Sequence, residues 1–143
     1  MTYDEWEATA AESVRSDPAW KVEAYRLGLF AGEAAWSDAA VLVRDPRGAL
    51  VAGQLMRAAA SVAAQIAEGY GRRSAKDRVR YYEYALGSVG ETRAWYVTTR
   101  QAIGAEILSI RMANLLSLTR LLLTMIRRER EKPSGWMDRN HEH

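Results

Sequence analysis

The chain has 143 residues, 20 Lys and Arg against 18 Asp and Glu, a net charge of +2 and no cysteine. That length suits one domain, able to bury a core without covalent staples. The missing cysteine excludes disulfides, thiolate zinc sites and thiol nucleophiles, and it agrees with a reducing cytoplasm. Met1 to Arg15 carries acids and no apolar run, so it does not read as a secretory signal. The longer apolar stretches are interrupted by Arg, Glu or Gln, which predicts a soluble cytoplasmic protein with no membrane contact.

In chain order, residues 1–16 read as an arm or short helix that uses Trp6 and Val14. Asp17-Pro18 is an N-cap followed by a first-turn proline, and it opens a helix that runs to about Leu42. Trp20, Ala24, Leu27, Ala31, Ala34 and Asp38 or Val41 recur there at helical spacing. Arg44-Asp45-Pro46-Arg47-Gly48 reads as a turn. A second helix spans Ala49 to Glu68, its stripe being Leu50 or Val51, Leu55, Ala59, Val62 and Ile66. Gly69-Tyr70-Gly71 ends it, because glycine accepts the left-handed conformation that closes helices.

Ser74-Ala75-Lys76-Asp77 has the capping-box pattern and starts a third helix that ends near Gly104. Its inward positions read as Val79, Tyr82, Leu86, Val89, Arg93 or Ala94, and Val97. A fourth helix spans about Ile107 to Arg130, and Pro133-Ser134-Gly135 stops it. Residues 132–143 read as a flexible polar tail that holds the only histidines, His141 and His143. No strand-length alternation occurs. The fold class is therefore all-α, an antiparallel up-down-up-down four-helix bundle over residues 17–131.

Leu115, Leu116, Leu118, Leu121, Leu122 and Leu123 spread over more than one face of the fourth helix. A surface helix needs one apolar stripe, so the excess predicts a second copy of the chain against it. Ala58, Ala59, Ala60, Ser61, Ala63 and Ala64, facing Gly87, Ser88 and Gly90, predict close packing of the second and third helices. Glu68, Arg72 and Glu91 are candidates for one ion-pair cluster that bridges helix ends.

The densest basic run is Arg72, Arg73, Lys76, Arg78 and Arg80, with Tyr70, Tyr81 and Tyr82 among them. Cations interleaved with aromatics hold phosphates while bases stack, so RNA or DNA is the ligand class, and Arg57 is added to the set. Cations at a helix start also oppose its dipole, which calls for a use. Arg127, Arg128 and Arg130 end the fourth helix, where the dipole favours them. Catalysis finds no support. There is no phosphate loop with its Lys and Ser or Thr, no base beside Ser61 or Ser88, and no Glu-x-x-His metal pattern. No enzyme, cofactor or metal is expected.

The segment from Gln54 to Ser74, QLMRAAASVAAQIAEGYGRRS, and YALGSVGE from Tyr84 to Glu91 carry a resemblance. The chain resembles the bacterial four-helix-bundle family encoded in intervening sequences of 23S ribosomal RNA genes. The accessory variability proteins of diversity-generating retroelements are similar. The residues that carry the likeness are Glu68, Gly69, Gly71, Gly87, Ser88 and Glu91. Met56 and Gln65 stand where the family pattern has arginine and asparagine, and Val43-Arg44-Asp45-Pro46 replaces a Phe-Pro. The resemblance implies an antiparallel bundle assembled as a homopentameric ring, without enzymatic activity. Some relatives bind nucleic acid and act with a reverse transcriptase. The expected function is a nucleic-acid- or ribonucleoprotein-binding accessory module. The alternative is a ring that docks another protein without nucleic acid.

Overall fold

The structure is a computed structural model that describes residues 1–133. The tail with His141 and His143 lies outside the described residues, apart from Lys132 and Pro133. All described regular structure is helical. Two short helices come first, α1 (Tyr3–Ala8) and α2 (Glu12–Arg15), then a 3₁₀ turn over Pro18–Lys21. Four long helices follow: α3 (Glu23–Leu42), α4 (Pro46–Tyr70), α5 (Ala75–Thr98) and α7 (Ala105–Arg130), with the single turn α6 (Arg100–Ile103) before the last.

Each boundary has a local cause, and several differ from expectation. Asp17 caps the backbone N–H of Ala19 and Pro18 opens a helix, but only one 3₁₀ turn forms. Val22 is extended, at φ −90° and ψ 115°, and packs at the edge of the core before α3 restarts at Glu23. The second long helix begins three residues before Ala49, because Asp45-Pro46 repeats the arrangement of Asp17-Pro18, with Asp45 accepting from the Arg47 N–H at 2.8 Å. Arg47 also pairs with the Asp45 carboxylate and, with that N–H, holds its pKa down at about 2. Gly71 closes α4 at φ −79°, not in the left-handed region. The third long helix stops at Thr98 rather than near Gly104. Thr98 and Thr99 each donate a hydroxyl to the carbonyl four residues back, at 2.8 Å, and the chain breaks there. Gly104 has φ +91°, which favours glycine, and it separates α6 from α7.

Helix α3 packs on α4, α4 on α5, α5 on α7, and α7 returns to α3. Leu42, Leu55, Val62, Ile66, Val89, Leu115, Leu118 and Leu122 are fully enclosed. Each such aliphatic side chain contributes roughly 1.5–3 kcal/mol on burial. Leu50, read as a stripe alternative, is instead 82 % exposed. Tyr82 and Val89 of α5 are buried as expected, but beyond Val89 the buried positions are Thr92 and Tyr96, one residue before the expected Arg93 and Val97. The hydroxyl of Tyr96 reaches Asp38 from there.

Glycine marks close helix approach in three places, the first being Gly48 of α4, where a Cβ would stand 2.2 Å from the Leu42 carbonyl oxygen at the end of α3. Gly28 of α3 lies where a Cβ would stand 3.3 Å from the Ala63 backbone. Gly69 lies where a Cβ would meet Tyr81 Cβ at 2.8 Å and the Tyr82 ring at 2.9 Å. Gly87 and Gly90 do not serve close packing. Both are exposed and have open space where a side chain would stand. Between α4 and α5 it is Ser88 that touches, its hydroxyl 2.7 Å from that of Ser61.

The N-terminal arm is held by rings. Tyr3 and Trp6 pack on Phe30 with centroids 5.7 and 5.8 Å away, and Trp6 also meets Trp20. Burial, chiefly, and the neighbouring Glu7 carboxylate push the Tyr3 hydroxyl up to about 12. By length and composition alone, α4 and α7 are long and apolar enough to cross a membrane. Each places one apolar stripe against neighbouring helices.

Candidate functional site

The basic run of the sequence occupies the turn between α4 and α5 and the first turns of α5. Ser74 caps α5, accepting from the Asp77 N–H at 3.1 Å. This sets Lys76, Asp77 and Arg80 on the outer side of the helix start. Arg73, Lys76 and Arg80 are exposed, and Arg80 stands 3.8 Å from Asp77. Arg72 pairs with Glu68, one turn back on α4, and donates to the Tyr81 hydroxyl at 2.8 Å. Its guanidinium also lies over the Tyr81 ring, 4.7 Å from the centroid.

Arg78 leaves the candidate set. Its side chain is wholly buried, its Nε donates to Glu129 at 3.0 Å, and its Nη1 donates to the Arg72 carbonyl at 2.9 Å. Residue 78 falls on the inward face of α5, four positions before Tyr82, and a phosphate on the surface has no route to it. Its role is to tie the basic turn to the end of α7. Arg57 lies elsewhere, mid-way along α4, where it bonds Gln54 at 2.8 Å and Glu91 at 3.2 Å. The expected cluster of Glu68, Arg72 and Glu91 therefore does not form. Glu91 is taken by Arg57, and Glu68 by Arg72.

The two basic runs, separate in sequence, meet in space. Lys76 shares a cleft of about 310 Å³ with Arg130 and Lys132, floored by Val79 and edged by Ser74 and Glu129. Arg130 also pairs with Glu83 of α5. Residues 68–83 and 127–132 together hold nine Lys and Arg against five Asp and Glu. This end of the molecule thus carries a surplus of four positive charges, more than the net +2 of the whole chain, and the remainder is close to neutral.

Sequence reasoning missed a second charged network. Asp38 of α3 is buried and accepts from the Tyr96 hydroxyl at 2.6 Å. Arg111 of α7 grips the same carboxylate with both arms, at 2.8 and 3.2 Å. Burial, then the Asp38 carboxylate, push the Tyr96 hydroxyl far above its ordinary value. Burial pulls Arg111 down, but Asp38 overrides it and holds the guanidinium charged. The available signal was an acid in the apolar register of the first helix and an arginine beside that of the fourth. Among the described residues, no group of three or more His, Cys, Asp or Glu side chains could hold a metal ion.

A family model for the 23S rRNA-intervening sequence protein matches residues 48–122, which is 75 of the 143 residues. The chain belongs to this family. No curated protein and no solved structure matches it. The family match spans most of α4, the basic turn, α5, α6 and most of α7. Glu68, Gly69, Gly71, Gly87, Ser88 and Glu91 all lie within it. The second basic run, from Arg127 to Lys132, lies beyond it.

Proposed function

We propose that this 23S rRNA-intervening sequence family member is a non-catalytic, cytoplasmic accessory protein, a homo-oligomeric four-helix bundle that binds nucleic acid or a ribonucleoprotein through its basic end. The observation that carries this reading is the meeting of the two basic runs. Nine cations concentrate where α5 begins and α7 ends, and Arg73, Lys76 and Arg80 present exposed guanidinium and ammonium groups. Phosphate contacts of this kind are independent of base sequence and draw their affinity from counterion release. Arg78 supports the reading by fixing the turn that carries Arg72 and Arg73.

Assembly belongs to the same proposal. The cyclic packing of α3, α4, α5 and α7 agrees with an up-down-up-down bundle. Leu116 and Leu123 of α7 are 41 % and 51 % exposed, and Trp36 of α3 is 70 % exposed, which leaves apolar surface for a second copy to cover. The resemblance supplies the number five, a closed ring, and a ring would repeat the basic end and raise its avidity. Through the likeness to accessory proteins of diversity-generating retroelements, the protein partner proposed is a reverse transcriptase. A second reading, a ring that docks an acidic protein and no nucleic acid, is favoured by one observation. Arg57, Arg80 and Arg130 already engage carboxylates within the chain.

Fluorescence anisotropy with labelled RNA and DNA fragments at low and raised salt separates the two. Binding that weakens steeply with salt supports nucleic acid as the partner. No binding to single- or double-stranded RNA or DNA at low salt leaves the protein-docking ring.

A further inference from the structure

We infer that the basic end takes unpaired nucleic acid, with an exposed base stacked on Tyr84; this rests on the proposed nucleic-acid binding and narrows it to the single-stranded class. Phosphate contacts alone do not distinguish a duplex from a single strand. An aromatic face set among cations does, because only an unpaired base can leave its own stack to cover it.

Tyr84 is 51 % exposed and lies one turn beyond Arg80 on α5. Its ring meets Tyr81 edge to face, with centroids 5.6 Å apart and planes at 88°. Such a contact occupies at most one face of the Tyr84 ring. Tyr81 is itself held in place. Arg72 and Arg80 lie over its ring at 4.7 and 5.2 Å, and Arg72 donates to its hydroxyl. Two guanidiniums and one ring thus pack together beside Tyr84. One turn further on, Gly87 is exposed and has nothing within 4 Å of where a side chain would begin, so the helix surface next to Tyr84 is open. A strand whose phosphates lie on Arg73, Lys76 and Arg80 has the next exposed position of the helix, Tyr84, within reach of a base. Both RNA and DNA supply this chemistry.

The test uses the full-length protein and labelled oligonucleotides of about twenty nucleotides: uridine, thymidine, an abasic strand of equal charge, and a duplex. The expected result is that both base-bearing single strands bind on the order of tenfold tighter than the abasic strand and the duplex. Tyr84→Ala should abolish that preference while leaving abasic affinity, salt slope and helicity unchanged, and Tyr84→Trp should restore it. Equal binding of abasic and base-bearing strands, or a preference that survives Tyr84→Ala, overturns this inference and leaves phosphate binding standing. A preference confined to uridine or to thymidine overturns the claim that both chemistries serve. Failure to bind any strand overturns the inference together with the reading beneath it.

Discussion

Arg78 and Glu129 meet inside the protein, Nε to Oε2 at 3.0 Å, across 51 residues of sequence. The pair joins the first turn of α5 to the last turn of α7, and Nη1 of Arg78 donates to the Arg72 carbonyl. Removing one member of a buried pair is strongly destabilising, because the other is left charged and dry. Arg78→Met should cost about 3 kcal/mol, near the low end of the usual range, since Lys132 still reaches Glu129 at 2.8 Å. Adding Glu129→Leu should recover much of that loss. Urea denaturation of the single and double variants, read as a double-mutant cycle, measures the coupling. Additive losses would show that the two residues do not act as a pair.

The network of Asp38, Tyr96 and Arg111 gives stability a dependence on alkaline pH. The folded Tyr96 hydroxyl titrates well above its unfolded value near 10. Its contribution is therefore complete below about pH 10 and is lost as pH rises beyond that. Tyr96→Phe should lower stability at neutral pH by roughly 1.5–3 kcal/mol, the range for a hydrogen bond to a charged group. It should also flatten the fall in melting temperature above pH 10. Parallel melts of the two proteins at pH 8 and above pH 10 check both parts. Equal alkaline slopes would assign the loss to other tyrosines, such as Tyr3.

Gly69 and Gly87 should respond in opposite directions to alanine. A methyl at Gly69 enters the space of Tyr81 and Tyr82, so Gly69→Ala should cost on the order of 1–3 kcal/mol. Gly87 sits in an exposed helix interior with no neighbour, so Gly87→Ala should stabilise by up to about 1 kcal/mol. Thermal denaturation decides, and a loss at Gly87 would mean that the surface there is covered in solution.

Self-association should depend on the outer face of α7. Light scattering at micromolar concentration should report an oligomer for the wild type. Leu116→Glu with Leu123→Glu should reduce its mass while leaving helicity intact, since neither side chain belongs to the buried core. A folded wild-type monomer, or an unchanged oligomer in the double variant, would move the contact elsewhere.

What could be read in advance followed from local chemistry. Periodicity located the four long helices, and the inward leucines Leu115, Leu118 and Leu122 appear where a 3.6-residue repeat puts them. By sequence Asp17-Pro18 reads as a helix start and Asp45-Pro46 as part of a turn, yet in the structure both cap a helix. The difference is only whether a full helix follows. The site was less legible. A charge run does not state which of its members faces inward, and Arg78 falls on the buried side of α5 through its phase relative to Tyr82. The meeting of Lys76 with Arg130 and Lys132 depends on tertiary packing and has no local signal, whereas Asp38 shows in the sequence as an acid in an apolar register, without naming Arg111 as its partner.

The most direct test of the account is the salt dependence of nucleic-acid affinity, compared between the wild type and the Arg73→Gln, Lys76→Gln, Arg80→Gln triple variant. All three side chains are exposed, so helicity and oligomer size should not change. Each phosphate contact removed should lower the slope of log affinity against log salt by about 1. The account predicts a slope reduced by about 3 in the triple variant, with weaker binding to all sequences alike. A wild type that binds no RNA or DNA at low salt, or a triple variant with an unchanged slope, would contradict it.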